Sequence, residues 1–236
     1  MMDEPGLLSS RTIIVLFCVL GKIRDIITFS ERGLKMSKKK RRGVRGLSRA
    51  LRRELGKKYP VVVMKYNPGW KKRYEQEAKF LKSQFSPKVI IRTEHFGSTA
   101  VPGLAAKPVI DILVEIASFK TARSEIIPEL KRRGYGYNWV SNQPKPPGHM
   151  MFMKGYDREG ARWLRYHLHM VPAGHPFWDR LLFRDYLRKH PQTCRSYEKI
   201  KYRLAELYRN DREAYTDGKA EFVERVTAKA KKDRKN

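Results

Sequence analysis

The run Val109-Ile110-Asp111-Ile112-Leu113-Val114-Glu115-Ile116 is the strongest constraint in this sequence, because it reads as a strand that carries two carboxylates among aliphatic neighbours. Strand side chains alternate, so Asp111, Leu113 and Glu115 share one face and Ile112, Val114 and Ile116 the other. Burying an unpaired carboxylate costs several kcal/mol, so Asp111 is expected to hold a metal, meet a cation or sit at an open strand end. Upstream, Glu94-His95-Phe96 ends another strand and passes into the turn Gly97-Ser98-Thr99. Gly97 lets backbone approach a ligand closely. Ser98 and Thr99 can cap a short helix whose free N–H groups attract phosphate. The pair of features points to nucleotide chemistry.

The segment His95-Phe96-Gly97-Ser98-Thr99-Ala100-Val101-Pro102-Gly103-Leu104-Ala105-Ala106-Lys107-Pro108-Val109-Ile110-Asp111 resembles the signature of the GrpB-like family, a branch of the nucleotidyltransferase (polymerase-beta-like) superfamily. The likeness continues through His167-Leu168-His169, Phe183-Arg184-Asp185-Tyr186-Leu187-Arg188 and Tyr215-Thr216-Asp217-Gly218-Lys219, and covers roughly residues 61 to 230. The resemblance implies an α+β fold: a nucleotidyltransferase-like mixed β-sheet with flanking helices and a C-terminal helical region. It also implies a divalent metal, magnesium or manganese, and a nucleoside triphosphate whose nucleotidyl group passes to an acceptor. Active members of the superfamily place two carboxylates two residues apart on one strand and a third on a neighbour, so that two metal ions bridge the reacting oxygens.

This sequence departs from that pattern. Asp111 matches the first carboxylate, but Leu113 stands where the second belongs. Glu115, the other catalytic candidate, is about 13 Å along the strand, too far to share one metal with Asp111 without a bend. His167 and His169 stand where a carboxylate is wanted on the partner strand and share one face. Asp111 with these two histidines makes a candidate site for a single zinc, manganese or iron ion. The alternative is a satisfied polar network that needs no ion. Gly97, Ser98 and Thr99 are candidate phosphate contacts, the alternative being a purely structural turn, and Lys107 is a candidate that would neutralise phosphate, pair with Asp111 or lie at the surface. Lys201 joins them because Tyr197-x-x-x-Lys201 resembles a helical pattern that reaches the triphosphate in related nucleotidyltransferases. Arg184, one turn before Arg188 on the same helix face, is a further candidate. His95 reads as a packing or strand-end residue.

The rest of the chain places these residues. In 236 residues there are 52 Lys+Arg against 24 Asp+Glu, a net charge of +28 that draws the protein towards polyanions. Residues 38–58 hold eleven Lys/Arg and one acid, Glu54, and read either as a contact for RNA or another polyanion or as a solvated, disordered basic arm with no specific partner. The expected organisation is an extension over 1–58, a domain over 59–230 and a short basic tail over 231–236. Met36 is a plausible alternative start, and residues 1–35 show no likeness to the family. Thr12–Leu20 is apolar but too short to span a bilayer, which takes about 20 residues. Cys18 and Cys194 form no metal or redox spacing. No membrane and a cytoplasmic location are therefore expected.

Val61–Met64 reads as a strand, residues 70–85 as a helix with Trp70, Tyr74, Ala78 and Leu81 on its packing stripe, and 119–133 as a helix kinked at Pro128. Residues 149–154 and 162–171 read as a hairpin joined through Asp157-Arg158-Glu159-Gly160, after a loop at Pro144–Gly148. From Pro176 the chain is helical with breaks near Pro191 and Asn210-Asp211. Two functions stay open on these residues: a metal-dependent nucleotidyltransferase, or a catalytically inactive nucleotide- or RNA-binding module of the same fold. A third, weaker reading is a basic, RNA- or ribosome-associated protein whose pocket is vestigial.

Overall fold

In a computed structural model, the structure describes residues 49–141, 147–156 and 164–234, and the side chains from residue 54 onward. The expectations for residues 1–48, most of the loop at 144–148 and the turn at 157–160 lie outside the described residues. The described chain is an α+β domain built on a five-stranded mixed sheet in the order β1-β2-β5-β4-β3. The strands are β1 (Ile90–Phe96), β2 (Val109–Ile116), β3 (Gly136–Val140), β4 (His149–Lys154) and β5 (Arg165–Val171). β2 runs antiparallel to β1 and parallel to β5, and the β5-β4 and β4-β3 pairs are antiparallel.

Helices α1 (Arg49–Lys58) and α2 (Gly69–Gln84) precede the sheet, and α3 (Phe119–Thr121) and α4 (Ile127–Arg132) follow β2 with a π-type turn, Ala122–Ile126, between them. Beyond β5 come α5 (Arg180–Lys189), α6 (Pro191–Leu207), α7 (Arg212–Asp217) and α8 (Ala220–Asp233). No helix of the described residues is long and apolar enough to cross a membrane.

Alternation along β2 divides the interior. Ile110, Ile112, Val114 and Ile116 enter the main core with Leu168, Met170, Met150 and Phe152 from β5 and β4, against Trp70 and Leu81 of α2 and Ile126 and Leu130. On the other face Leu113 packs with Phe96, Val171 and Phe177, and Leu181 of α5 lies against them. The same face carries Asp111 and, on β5, His167 and His169. The C-terminal helices pack on one another through Tyr186, Leu187, Tyr197, Val226 and Ala230.

Several elements differ from their sequence expectation. Arg49–Lys58, the end of the supposed solvated arm, is a helix. Its Gly56 lies so close to the turn after α6 that a Cβ there would stand 1.7 Å from the Asn210 carbonyl oxygen. Residues 231–233, the start of the expected tail, continue α8 instead, and Lys231 pairs with Asp179 at 2.5 Å. Val61–Met64 contributes a single bridge, Met64 with Ala106, because the Val61 amide is taken by the Arg209 carbonyl. The helical irregularity after β2 falls at the π-type turn, and Pro128 sits in the first turn of α4, where its missing N–H costs nothing. β3 was not foreseen; its residues are all half-buried, so no clean alternation marks it.

Candidate metal centre

The parallel register of β2 and β5 sets Asp111 opposite His167 and Leu113 opposite His169. Because strand neighbours share a face, the carboxylate and both imidazoles converge. Asp111 Oδ1 lies 3.4 Å from His167 Nδ1 and 3.9 Å from His169 Nε2, and the three ligand atoms all fall within 4.8 Å of one another. Ligand atoms about 2.0–2.1 Å from a tetrahedral ion stand about 3.4 Å apart, so a small contraction would complete three corners. Asp111 remains partly exposed, which leaves the fourth corner open to a ligand from solvent.

The second nitrogen of each imidazole is already engaged. His167 Nε2 is 2.7 Å from the Tyr156 hydroxyl, and His169 Nδ1 is 2.9 Å from His149 Nε2. Such outer partners fix which nitrogen faces the ion. Phe96 and Phe177 wall His169, and the Phe177 ring lies 4.4 Å from that of His149. Burial pushes the pKa of His167 down and that of His169 well down, and lowers His149 to about 4; the Asp111 charge opposes the shift at His167. Neutral imidazole is the form that ligates metal. The geometry and the donor chemistry therefore both fit one borderline ion held by one oxygen and two nitrogens.

Gly97 belongs to the same site for a steric reason. Its φ of 71° and ψ of −171° are open essentially to glycine alone, and a Cβ would stand 2.4 Å from Asp111 Oδ2. The turn that follows is a single 3-10 turn, Ser98–Ala100, with Gly97 rather than a serine at its N-cap and no side-chain cap. The expected capped helix is absent because Thr99 turns inward: its hydroxyl donates to the Val109 carbonyl at 3.0 Å and lies 3.1 Å from His95 Nε2. Ser98 bonds the Tyr197 hydroxyl, whose pKa burial pushes up to about 12.

The other sequence candidates are placed as follows. Lys107 precedes β2 and feels the Asp111 charge. Lys201 is fully buried, donates to the Ala105 carbonyl and has its pKa lowered by burial to about 7. Arg184 is held by Glu94 at 2.9 Å, Asp185 at 2.7 Å and the His95 carbonyl at 2.7 Å, which ties α5 to β1. Glu115 lies towards the far end of β2 and pairs with Arg92 at 2.5 Å. The structure thus gathers Asp111, His167, His169, Gly97, Ser98 and Lys107, and leaves Glu115, Arg184 and Lys201 in contacts of their own. His149 and Tyr156 were missed by the sequence reading, because their bearing on the site depends on strand order. His149 does open its strand on the same alternation as Met151 and Met153, which face the β5 histidines.

The family model for GrpB protein matches residues 60–229. The chain belongs to the GrpB family. The chain is 33% identical over 167 residues to the glutamate-rich protein GrpB of Alkalihalophilus pseudofirmus, a match that covers 70% of this chain and 93% of that protein. It is 35% identical over 182 residues to the UPF0157 protein YqkA of Bacillus subtilis, covering 75% of this chain but 49% of the relative, so it spans about half the length of that protein. Among solved structures, conserved protein GrpB from Enterococcus faecalis superposes with a TM-score of 0.63 at 28% identity, covering 74% of this chain and all of that one.

Proposed function

We propose that this GrpB-family chain binds one divalent metal ion through Asp111, His167 and His169, and uses it to hold the phosphates of a nucleoside triphosphate for nucleotidyl transfer to an acceptor. The observation that carries the reading is the convergence of three ligand atoms within 4.8 Å on the face that the resemblance to nucleotidyltransferases singles out. The ion would polarise a phosphoryl oxygen and neutralise developing charge. Asp111, positioned by the close approach of Gly97, and the two imidazoles, oriented by Tyr156 and His149, hold the ion's place. Ser98 and Lys107 are the phosphate contacts that remain beside the carboxylate.

One observation favours a second reading, nucleotide binding without turnover. Leu113 is completely buried among Phe96, Val171 and Phe177, so the position of the second carboxylate is sealed in apolar packing and only one ion is supported. A thermal-shift panel of nucleoside mono-, di- and triphosphates with magnesium, manganese or zinc, run on the protein and on Asp111→Ala, tests the shared core of both readings. A ligand at a hundredfold excess over its Kd adds about 2.7 kcal/mol of apparent stability. A metal-dependent shift lost in Asp111→Ala is the expected result, and no shift with any pair would refute both. Pyrophosphate release from the triphosphate that shifts most then separates transfer from binding alone. The basic segment before residue 49 would add affinity for RNA or another polyanion; an unchanged salt dependence of RNA binding after its deletion would refute that role.

A further inference from the structure

Three cationic side chains stand beside this cluster, and among the described residues none of them forms an ion pair. Lys107, just before β2, holds its ammonium 4.8 Å from the centre of the Tyr215 ring, and Lys219, at the start of α8, holds its own 4.3 Å from the same ring. Arg212, the first residue of α7, donates to the Tyr156 hydroxyl at 3.3 Å and to the Tyr59 carbonyl at 3.2 Å. Since that hydroxyl also bonds His167, Arg212 reaches the edge of the candidate metal centre, and the Asp111 charge is felt by both lysines.

Among the described residues no carboxylate lies within ion-pair distance of Lys107, Arg212 or Lys219. Lys107 and Lys219 each keep part of their residue surface exposed, while their ammonium groups are largely desolvated. Burial lowers the pKa of Lys107 well below the ordinary lysine value and that of Lys219 to about 8; Arg212 and Lys219 repel Lys107, Arg180 repels Lys219, and Asp111 alone opposes both shifts. Desolvated like charges gathered around one carboxylate are costly, and an entering anion removes that cost. A metal ion on Asp111 would deepen the positive field. The Tyr215 ring meets both ammoniums through cation–π contact, which takes up none of their hydrogen-bond donors.

We infer that Lys107, Arg212 and Lys219 form an anion subsite abutting Asp111, and that its ligand is a phosphoryl group carrying at least two charges, as in pyrophosphate or the end of a nucleoside polyphosphate. This deepens the proposed function and rests on it only for the place of the metal. It adds Arg212 and Lys219 to the site.

Titration calorimetry with inorganic pyrophosphate, in EDTA so that no metal takes part, tests the subsite by itself; zinc affinity is measured separately without pyrophosphate. Binding in EDTA is expected. Lys219→Met should weaken it by about ten- to a hundredfold, the range for losing a charge-assisted hydrogen bond, and Lys219→Arg should restore most of it. Lys107→Met should behave alike. Zinc affinity in Lys219→Met should stay level or rise, because a repelling charge has gone, whereas a merely structural lysine would lower it. Unchanged pyrophosphate affinity in both Met variants, or no binding by the parent protein, would overturn the inference. Pyrophosphate binding without any zinc binding would sink the metal reading and leave the subsite standing. Tighter binding of a nucleoside triphosphate than of pyrophosphate would identify the nucleotide as the source of the phosphates.

Discussion

Gly97→Ala is the perturbation that bears most directly on the candidate centre. The backbone there is in a conformation that costs a non-glycine residue about 1–3 kcal/mol. The new methyl would meet Asp111 Oδ2 at 2.4 Å and its Cβ and Cγ at 3.0 Å, so the carboxylate or its strand must shift, an overpacking cost of about 1–3 kcal/mol more. The displaced carboxylate is the one that stands 3.4 Å from His167 Nδ1, and a ligand moved off its position should cost at least about tenfold in metal affinity. Gly103→Ala is the control, since Gly103 also has a positive φ, 78°, but nothing lies within 4 Å of its Cβ position. Urea denaturation should therefore show both variants destabilised, Gly97→Ala more than Gly103→Ala. A zinc competition assay should show lost affinity in Gly97→Ala alone. Parent-like zinc affinity in Gly97→Ala would refute the idea that close backbone approach positions Asp111 as a ligand.

Leu113→Asp restores the two-carboxylate pattern in sequence but places an acid among Phe96, Val171 and Phe177, so urea unfolding should show a loss of several kcal/mol, and a stable variant that binds two metal ions would contradict the packing argument. His149→Phe removes the partner of His169 Nδ1 while keeping a ring against Phe177, and should lower zinc affinity by about ten- to a hundredfold in a competition assay; no change would mean that His169 is oriented by its aromatic walls alone. Acid should destabilise the fold well above carboxylate pKa values. His95 and His149 are lowered to about 4 by burial, so between pH 6.5 and 4 the unfolded chain binds protons that the native chain does not, and stability falls as pH falls. Unfolding free energies from urea titrations at pH 7, 6 and 5 should decline, by up to about 1.4 kcal/mol per pH unit for each such histidine, and a flat profile would refute the burial of neutral imidazoles.

What the sequence conveyed follows from how far its signals reach. The alternation in Val109–Ile116 and the His-x-His of β5 are local patterns, and each specifies a face; together with the resemblance to nucleotidyltransferases, which implies that the two strands are neighbours, they named Asp111, His167 and His169. Whether those faces meet is a matter of strand order and register, which local pattern does not contain, and the parallel β2-β5 pairing supplies it by setting Asp111 opposite His167. His149 needed the further fact that β4 lies on the outer side of β5, and Tyr156 that the chain leaving β4 turns back towards His167. Two of the basic candidates are engaged elsewhere for the same reason in reverse. Arg184 and Lys201 carry the right chemistry at helical spacing, but a long cation on a packed helix is spent on whatever carbonyl or carboxylate the tertiary fold brings to it, here the His95 carbonyl, Glu94 and Asp185 for the one and the Ala105 carbonyl for the other. Lys107, Lys219 and Arg212 look no different in sequence. Charge type thus says that an anion can be bound, and only the pairing of each cation within the fold says which of them remain to bind it.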